Sequence, residues 1–180
     1  MNLNNDIIVK RSQIKNRYDL SLIIKNDNFN LKNIITPSIY NLIASVNNEY
    51  IERIEIIDTI IPNKEYSMLI LLKPIFKEFN MLKFYITIKT IITENSDKNI
   101  INFKNYDINY QSDKLVGYTK ISNDISELNI NFISDNIALI THNFEIDLHD
   151  IFPKTMQNIV VNIIKMVFYK LKIFCENIKI

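Results

Sequence analysis

The sequence predicts an α+β fold in which a bent antiparallel sheet of about seven strands wraps around a long C-terminal helix. Three observations predict it. From Tyr50 onward, apolar residues recur at every second position, which is typical of strands. The breaks between these segments are short and rich in Asn and Asp, which favours hairpins over crossover connections. Residues 153–177 instead repeat apolar side chains at helical spacing.

The composition points to one globular domain whose turns are made without glycine. A chain of 180 residues is long enough to bury a core, and we assign residues 1–15 to a polar lead-in and 16–180 to a single domain. The chain has 38 Ile and 26 Asn but a single Gly, a bias that indicates an A/T-rich genome, such as that of many large DNA viruses, some protists and some bacteria. Glycine-rich phosphate loops are therefore excluded, and turns are expected at Asn and Asp.

Charge and cysteine usage exclude further classes. The 21 basic and 20 acidic residues are well mixed, so no basic stripe predicts binding to nucleic acid. The lone Cys175 cannot form an intrachain disulfide and lies in an apolar helical segment, where a core position is expected in a reducing compartment. No apolar run predicts a signal peptide or a transmembrane segment, so we expect a cytoplasmic protein.

The first half of the chain predicts one strand, one helix and then further strands. Arg17–Lys25 alternates apolar and polar residues and is expected to be the first strand. Thr36 is a suitable N-cap with Pro37 at the first helical position, ahead of apolar residues at helical spacing that end at Asn47. The strands expected after this helix are Ile51–Ile61, Tyr66–Lys73, Leu82–Thr93, Ile100–Tyr110, Leu115–Ile121, Ile125–Ile133 and Ile137–Leu148.

The C-terminal helix is expected to span Pro153–Asn177 and to be deeply buried along one side. Its predicted apolar stripe consists of Met156, Val160, Ile163, Val167, Leu171, Phe174 and Ile178. The opposite, polar side consists of Asn158, Asn162, Lys165, Lys172 and Glu176. Further apolar residues between the two sides make the apolar arc wide, so the helix should lie against a curved sheet.

This order of elements resembles the helix-grip fold of the START-like superfamily, which includes birch-pollen allergen proteins, lipid-transfer START domains and polyketide-cyclase-like proteins. The resemblance covers nearly the whole chain in topology and length. It implies an apolar cavity between the sheet and the terminal helix. The family's glycine-rich loop is absent here, and one early helix stands where members often have two, so no functional residue is carried over.

The stretch THNFEIDLHD, residues 141–150, holds both histidines of the chain. In a strand, His142 and Phe144 share the face that must be buried, while Glu145, Asp147 and His149 point together to the other side. Two carboxylates and an imidazole at this spacing could bind a divalent cation with further ligands. Because no other part of the chain supplies such ligands, we expect a solvated strand face rather than a metal site.

The function that these features favour is non-enzymatic binding, with no catalytic residue, metal or cofactor. We expect a lipid or another apolar small molecule to lie between the sheet and the C-terminal helix. The candidate cavity residues are Phe84, His142, Phe144, Ile163, Val167 and Phe174. The alternative is a protein-interaction module with a filled core, for example a viral accessory protein. A weaker alternative is a metal-dependent hydrolase that uses the strand at residues 145–149.

Overall fold

The computed structural model describes residues 7–12, 16–74, 83–122, 125–145 and 154–179, with the backbone alone for residues 154–157. Within these ranges there are nine strands and two α-helices. In chain order they are β1 (Ile7–Arg11), β2 (Arg17–Lys25), α1 (Ile39–Val46), β3 (Ile51–Ile61), β4 (Glu65–Leu72), β5 (Lys83–Asn95), β6 (Ile100–Asp107), β7 (Tyr118–Lys120), β8 (Ile125–Ser134), β9 (Ile137–Glu145) and α2 (Lys154–Asn177). The predicted α+β class and C-terminal helix are confirmed, and the strand predicted at Arg17–Lys25 is present but is the second strand rather than the first.

The strands form one sheet in the order β1-β2-β9-β8-β6-β5-β4-β3, and every pair along this path is antiparallel. The short strand β7 lies off the path and pairs in parallel with the beginning of β5. The hairpins β3–β4, β5–β6 and β8–β9 turn at the expected Asn and Asp clusters. The pairing of β3 with β4 shifts register at three places, between Ile51 and Arg53, Ile56 and Asp58, and Thr59 and Ile61.

The prediction that residues 1–15 are a polar lead-in is wrong for residues 7–11. These residues form β1, which pairs with β2 so that Ile7 lies opposite Leu22 and Val9 opposite Leu20. Ile7 is only 2% exposed. Two inward apolar residues are too few to make a period visible in the sequence, and the strand gains its backbone hydrogen bonds from β2.

Asparagine fills most of the left-handed backbone positions in the described residues, as the shortage of glycine predicted. Asn16, Asn63 and Asn99 have φ values of 63°, 58° and 53°, and the single glycine, Gly117, has 82°. Asn tolerates this region better than other residues with a side chain. Asn63 and Asn99 lie in the turns of the β3–β4 and β5–β6 hairpins.

Helix α1 begins two residues later than the sequence predicted. Ser38, not Thr36, is its N-cap residue, and the Ser38 side chain makes no capping hydrogen bond. Thr36 Oγ1 instead accepts a hydrogen bond from the Ser38 backbone N–H at 3.3 Å, because residues 36–38 form a separate turn before the helix. At the other end, the buried Asn47 donates from Nδ2 to the carbonyl oxygens of Ile43 and of Val167, which fastens α1 to α2.

Helix α2 packs on β2, on β1 and on α1. Among its described side chains, the buried ones are those of Val160, Phe168, Leu171, Lys172 and Cys175. The buried face is rotated about the helix axis relative to the predicted apolar stripe. Phe174, predicted to be buried, is 41% exposed, and Lys172, predicted to be on the polar side, is only 8% exposed, so both predictions are wrong. Because the apolar arc is wide, several faces were almost equally apolar, and Lys172 is tolerated inside because its charge is paired.

Apolar residues cover both sides of the sheet in one region. The main core lies on the inner face, beneath the helices, and includes Leu20, Phe103 and Ile140. A smaller cluster on the outer face joins Leu69 and Leu71 to Leu115, with Tyr85, Tyr110 and Tyr118 packed around it. No helix among the described residues is both long and apolar enough to cross a membrane.

Candidate binding pocket

The inner face of the sheet is filled at one end and open at the other. On β6, β8 and β9, the inward residues Phe103, Ile130 and Ile140 are completely buried. On β3 and β4, inward apolar residues remain accessible: Ile54 and Ile70 are half-buried, and Ile56 is 51% exposed. Helix α2 lies over the β1–β2 end, so it does not cover this part of the sheet.

A pocket of about 230 Å³ lies between the beginning of α1 and the open part of the sheet. It is lined by Pro37, Ser38, Tyr40, Asn41, Ile54, Ile56, Thr59, Pro62, Asn63, Tyr66 and Met68. Met68 is completely buried, whereas Ser38, Asn41, Thr59 and Asn63 are exposed. Met68 and the partly buried Pro37, Tyr40, Ile54 and Tyr66 therefore form the interior of the pocket, and the exposed residues, which include Ile56 and Pro62, form its rim. None of the lining residues is charged.

A row of buried polar groups lies behind the pocket. Thr90, Asn105 and Ser126 occupy adjacent positions on β5, β6 and β8. The Asn105 side-chain oxygen accepts hydrogen bonds from Thr90 Oγ1 at 2.9 Å and from the Tyr40 hydroxyl at 3.1 Å. Its Nδ2 donates to the Tyr40 hydroxyl at 2.8 Å and to Ser126 Oγ at 3.1 Å. The amide of Asn105 thus uses its full hydrogen-bonding capacity, and the row costs little despite its burial.

The two tyrosines of the pocket differ in what their hydroxyls bind. Burial raises the pKa of Tyr40 well above its ordinary value, and its hydroxyl is engaged by Asn105. Burial also raises the pKa of Tyr66 to about 12, so this phenol keeps its proton at neutral pH. The Tyr66 hydroxyl is bonded to none of the described residues. The hydroxyl is not one of the buried polar atoms that lack a partner among the described residues, so it reaches solvent and offers a donor to the uncharged pocket.

The cavity residues expected from the sequence do not line this pocket. His142 and Phe144 both face inward on β9, and the His142 ring lies 5.0 Å from that of Phe144 and 5.4 Å from that of Phe168 on α2. Val167 packs half-buried against the same core, and Ile163 is half-buried further along α2. Phe84 is buried on β5, and Phe174 is on the exposed side of α2. Their role in binding stays a prediction.

His142 is held in its neutral form. Burial lowers the pKa of its imidazole to about 4. The residue as a whole is only half-buried, but its Nδ1 atom is buried and has no hydrogen-bond partner in the described part of the chain. Aromatic rings flank the imidazole on two sides, so among the described residues its contacts are those of a packed side chain.

The proposed metal ligands lie mostly outside the described residues. Glu145 ends β9 opposite Arg17 on β2 and is on the other face from Phe144. Asp147 and His149 fall within residues 146–153, which the structure does not describe. Among the residues it does describe, no group of three His, Cys, Asp or Glu side chains is placed to hold a metal ion. The prediction of a solvated face stays a prediction.

Sequence reasoning missed the residues that do form the pocket. Tyr40 was assigned only to an amphipathic helix, and Tyr66 only to the beginning of a strand. The single local signal was the parity of Tyr66, Met68 and Ile70 along β4, which places the three on one face. Which inward residues stay uncovered depends on the placement of α1 and the curvature of the sheet, and neither is encoded in a short stretch.

Comparisons with known proteins find the fold but no sequence relative. No protein-family model matches the chain, and no curated protein matches it by sequence. A human StarD13 (DLC2) lipid transfer and protein localization domain has a TM-score of 0.70 and 12% identity, covering 96% of this chain and 85% of that chain. Human StAR-related lipid transfer protein 5 has a TM-score of 0.69 and 12% identity, covering 92% and 79%.

Human STARD10 is similar as well, with a TM-score of 0.65 and 10% identity, covering 92% of this chain and 69% of that chain. At these identities the likeness is one of fold. The chain adopts the START-like helix-grip fold, as the order of its elements predicted.

Proposed function

We propose that this protein is a non-enzymatic binding module that holds an apolar ligand, such as a lipid, between its sheet and its helices. The observation that carries the proposal is the open end of the inner face, where Ile54, Ile56 and Ile70 keep accessible apolar surface beside a pocket. Apolar surface in a concave pocket with a few polar groups is typical of small-molecule sites. Two of the structural neighbours are described as lipid transfer proteins, which supports the same class of ligand.

The chemistry of the inner residues supports binding rather than catalysis. Burial raises the pKa of the Cys175 thiol to about 12, so the thiol is not a nucleophile at neutral pH. The pKa of His142 is lowered, and that of Tyr40 is raised, so each stays neutral. Among the described residues, none of the three groups is paired in the nucleophile-and-base arrangement that covalent catalysis requires.

The experiment that tests the proposal is native mass spectrometry of the protein purified from cells. We expect a retained apolar adduct on the wild-type chain. Ile54→Phe should reduce the fraction that carries the adduct, because the larger ring occupies pocket volume at a half-buried position. Ile23→Phe is the matched control, since Ile23 is 42% exposed on the outer face. Equal adduct on both variants would contradict the placement of the ligand.

The alternative is a protein-interaction module with a filled core, such as a viral accessory protein. It predicts that no adduct is retained and that added lipids do not bind. The same mass spectra therefore separate the two functions, because only a ligand-binding module carries an extra apolar mass that delipidation removes and added lipid restores.

A further inference from the structure

The volume of the pocket beside Tyr40 and Tyr66 limits what it can hold. An apolar cavity of about 150 Å³ accepts benzene, so the 230 Å³ here has room for roughly ten non-hydrogen atoms. Pockets that hold a whole drug-sized molecule have volumes of at least about 300 Å³. The pocket therefore fits a small molecule, or one end of a longer one, and is too small for a phospholipid headgroup together with its two chains.

The lining of the pocket selects against charge. All eleven lining residues are uncharged, and the interior ones are Pro37, Tyr40, Ile54, Tyr66 and Met68. A carboxylate or phosphate that entered would lose its hydration without gaining an opposite charge, which is strongly unfavourable. An uncharged apolar body would lose no such hydration.

A single hydrogen-bond donor is available inside. The Tyr40 hydroxyl is already bonded to Asn105 in both directions. The Tyr66 hydroxyl is bonded to none of the described residues and keeps its proton at neutral pH. The remaining polar lining residues are exposed at the rim, where water already solvates them. A ligand that offers one acceptor would replace water as the partner of the Tyr66 hydroxyl.

We propose that this pocket binds an uncharged group of about ten non-hydrogen atoms, with an apolar body and one alcohol or carbonyl oxygen that accepts a hydrogen bond from Tyr66, and that it rejects carboxylates and phosphates. This inference rests on the proposed binding function and narrows its ligand class. The group is either a free small molecule or the neutral polar end of a longer lipid.

Calorimetric titration with matched probes tests the inference. The probes are 1-octanol and octanoate at pH 7, which share a chain length and differ in charge. The proteins are the wild type, Tyr66→Phe and Tyr85→Phe. Tyr85 packs in the outer cluster with Leu69 and Leu71, so it controls for the loss of a tyrosine hydroxyl elsewhere. Thermal melts of all three proteins check that each is folded before titration.

The expected result is that wild type binds 1-octanol and binds octanoate at least tenfold more weakly. Tyr66→Phe should weaken 1-octanol binding about fivefold, the effect of one net hydrogen bond, and Tyr85→Phe should leave it unchanged. Octanoate binding as tight as 1-octanol, or equal 1-octanol binding by the two tyrosine variants, would overturn the inference.

Native mass spectra of the same wild-type preparation separate this inference from the proposed function. A neutral hydroxylated or carbonyl-containing adduct that 1-octanol displaces identifies a longer lipid as the source of the group. Binding of 1-octanol with no adduct identifies a free small molecule. A retained charged phospholipid, with no binding of 1-octanol, overturns the inference and leaves the binding function standing. No adduct and no binding of either probe overturns both.

Discussion

The ammonium group of Lys172 on α2 donates a hydrogen bond to the backbone carbonyl oxygen of Ile23 on β2, with an N–O distance of 2.8 Å. The same ammonium forms an ion pair with Glu176 at 2.6 Å, and Glu176 also accepts from the Lys25 backbone N–H. Beside them, Asn26 Nδ2 donates to the carbonyl oxygens of Cys175 and Ile178. These bonds connect the last turn of α2 to the end of β2, so polar contacts and not only apolar packing position the helix.

Replacing Lys172 by Met should destabilise the domain by about 2 kcal/mol, because Glu176 and the Ile23 carbonyl lose a charged donor at a buried position. The free energy of unfolding in urea measures the loss. Lys170→Met is the matched control, since its ion pair with Glu49 is more exposed, at 31% and 47% of the two side chains, and should be worth less than about 1 kcal/mol. Equal losses would mean that the Lys172 contacts do not fix the helix.

Replacing Leu171 by Asp should unfold the domain. Leu171 is completely buried on the face of α2 that contacts the core, and an unpaired charge there costs several kcal/mol, which is about the whole stability of a domain. Ile173→Asp places the same charge at a position that is 39% exposed and should leave a cooperative melt. Circular dichroism during heating distinguishes them, and a folded Leu171→Asp protein would show that this face of α2 is not buried.

Replacing Asn105 by Leu should cost about 3 kcal/mol, because Tyr40, Thr90 and Ser126 would each lose a partner inside the core. Denaturant unfolding provides the measurement. Asn102→Leu is the control. Asn102 is half-buried, and its partners Glu127 and Asn129 can form hydrogen bonds with water instead, so this substitution should cost less than about 1 kcal/mol. A larger loss of stability in Asn102→Leu than in Asn105→Leu would show that the buried row of polar groups does not stabilise the fold.

Stability should fall as the pH is lowered below 6.5, because of His142. The unfolded chain binds a proton at this side chain near pH 6.5, whereas burial lowers the folded pKa to about 4. The unfolded state therefore holds more protons between these values, and protonation costs up to about 3 kcal/mol by pH 4. His142→Phe should make the melting temperature depend less on pH between pH 6.5 and 5, whereas His149→Phe should leave this dependence unchanged. An unchanged slope in His142→Phe would refute this assignment.

The triple substitution of Glu145, Asp147 and His149 by Ser should leave the fold and any ligand binding intact, since all three are predicted to point into water. Calorimetry with Mg²⁺, Mn²⁺ and Zn²⁺ measures the competing possibility. Micromolar binding of a cation by the wild type, lost in the triple variant, would establish a metal site at this strand and favour the hypothesis of a metal-dependent hydrolase.

Most of the strands could be predicted because their alternation is strong and local. The bounds of β2 and β3 match the prediction at both ends, and the Arg53–Glu55 ion pair on one face of β3 follows from the same period of two. Strand β1 was missed because only Ile7 and Val9 mark its inner face, and its existence depends on pairing with β2.

The pocket could not be predicted, since it depends on which inward residues a distant element leaves uncovered. Tyr66 and Ile54 lie in segments with the same alternation of apolar and polar residues as the strands whose inward side chains are buried elsewhere in the sheet. The face of α2 was uncertain for a related reason: Phe174 and Cys175 are both apolar, and only the packed position of the helix shows that Cys175 is the buried one.

The three register shifts between β3 and β4 have a consequence for how this chain avoids aggregation. Strand β3 ends the described sheet order, is 11 residues long and carries the exposed side chains of Ile56, Ile60 and Ile61. A straight edge of this kind would be a template on which strands of other molecules could add. Each irregularity bends the strand and interrupts its even row of amide and carbonyl groups. At this end of the described sheet, the irregularities therefore make an isoleucine-rich strand a poorer template for the addition of strands from other molecules.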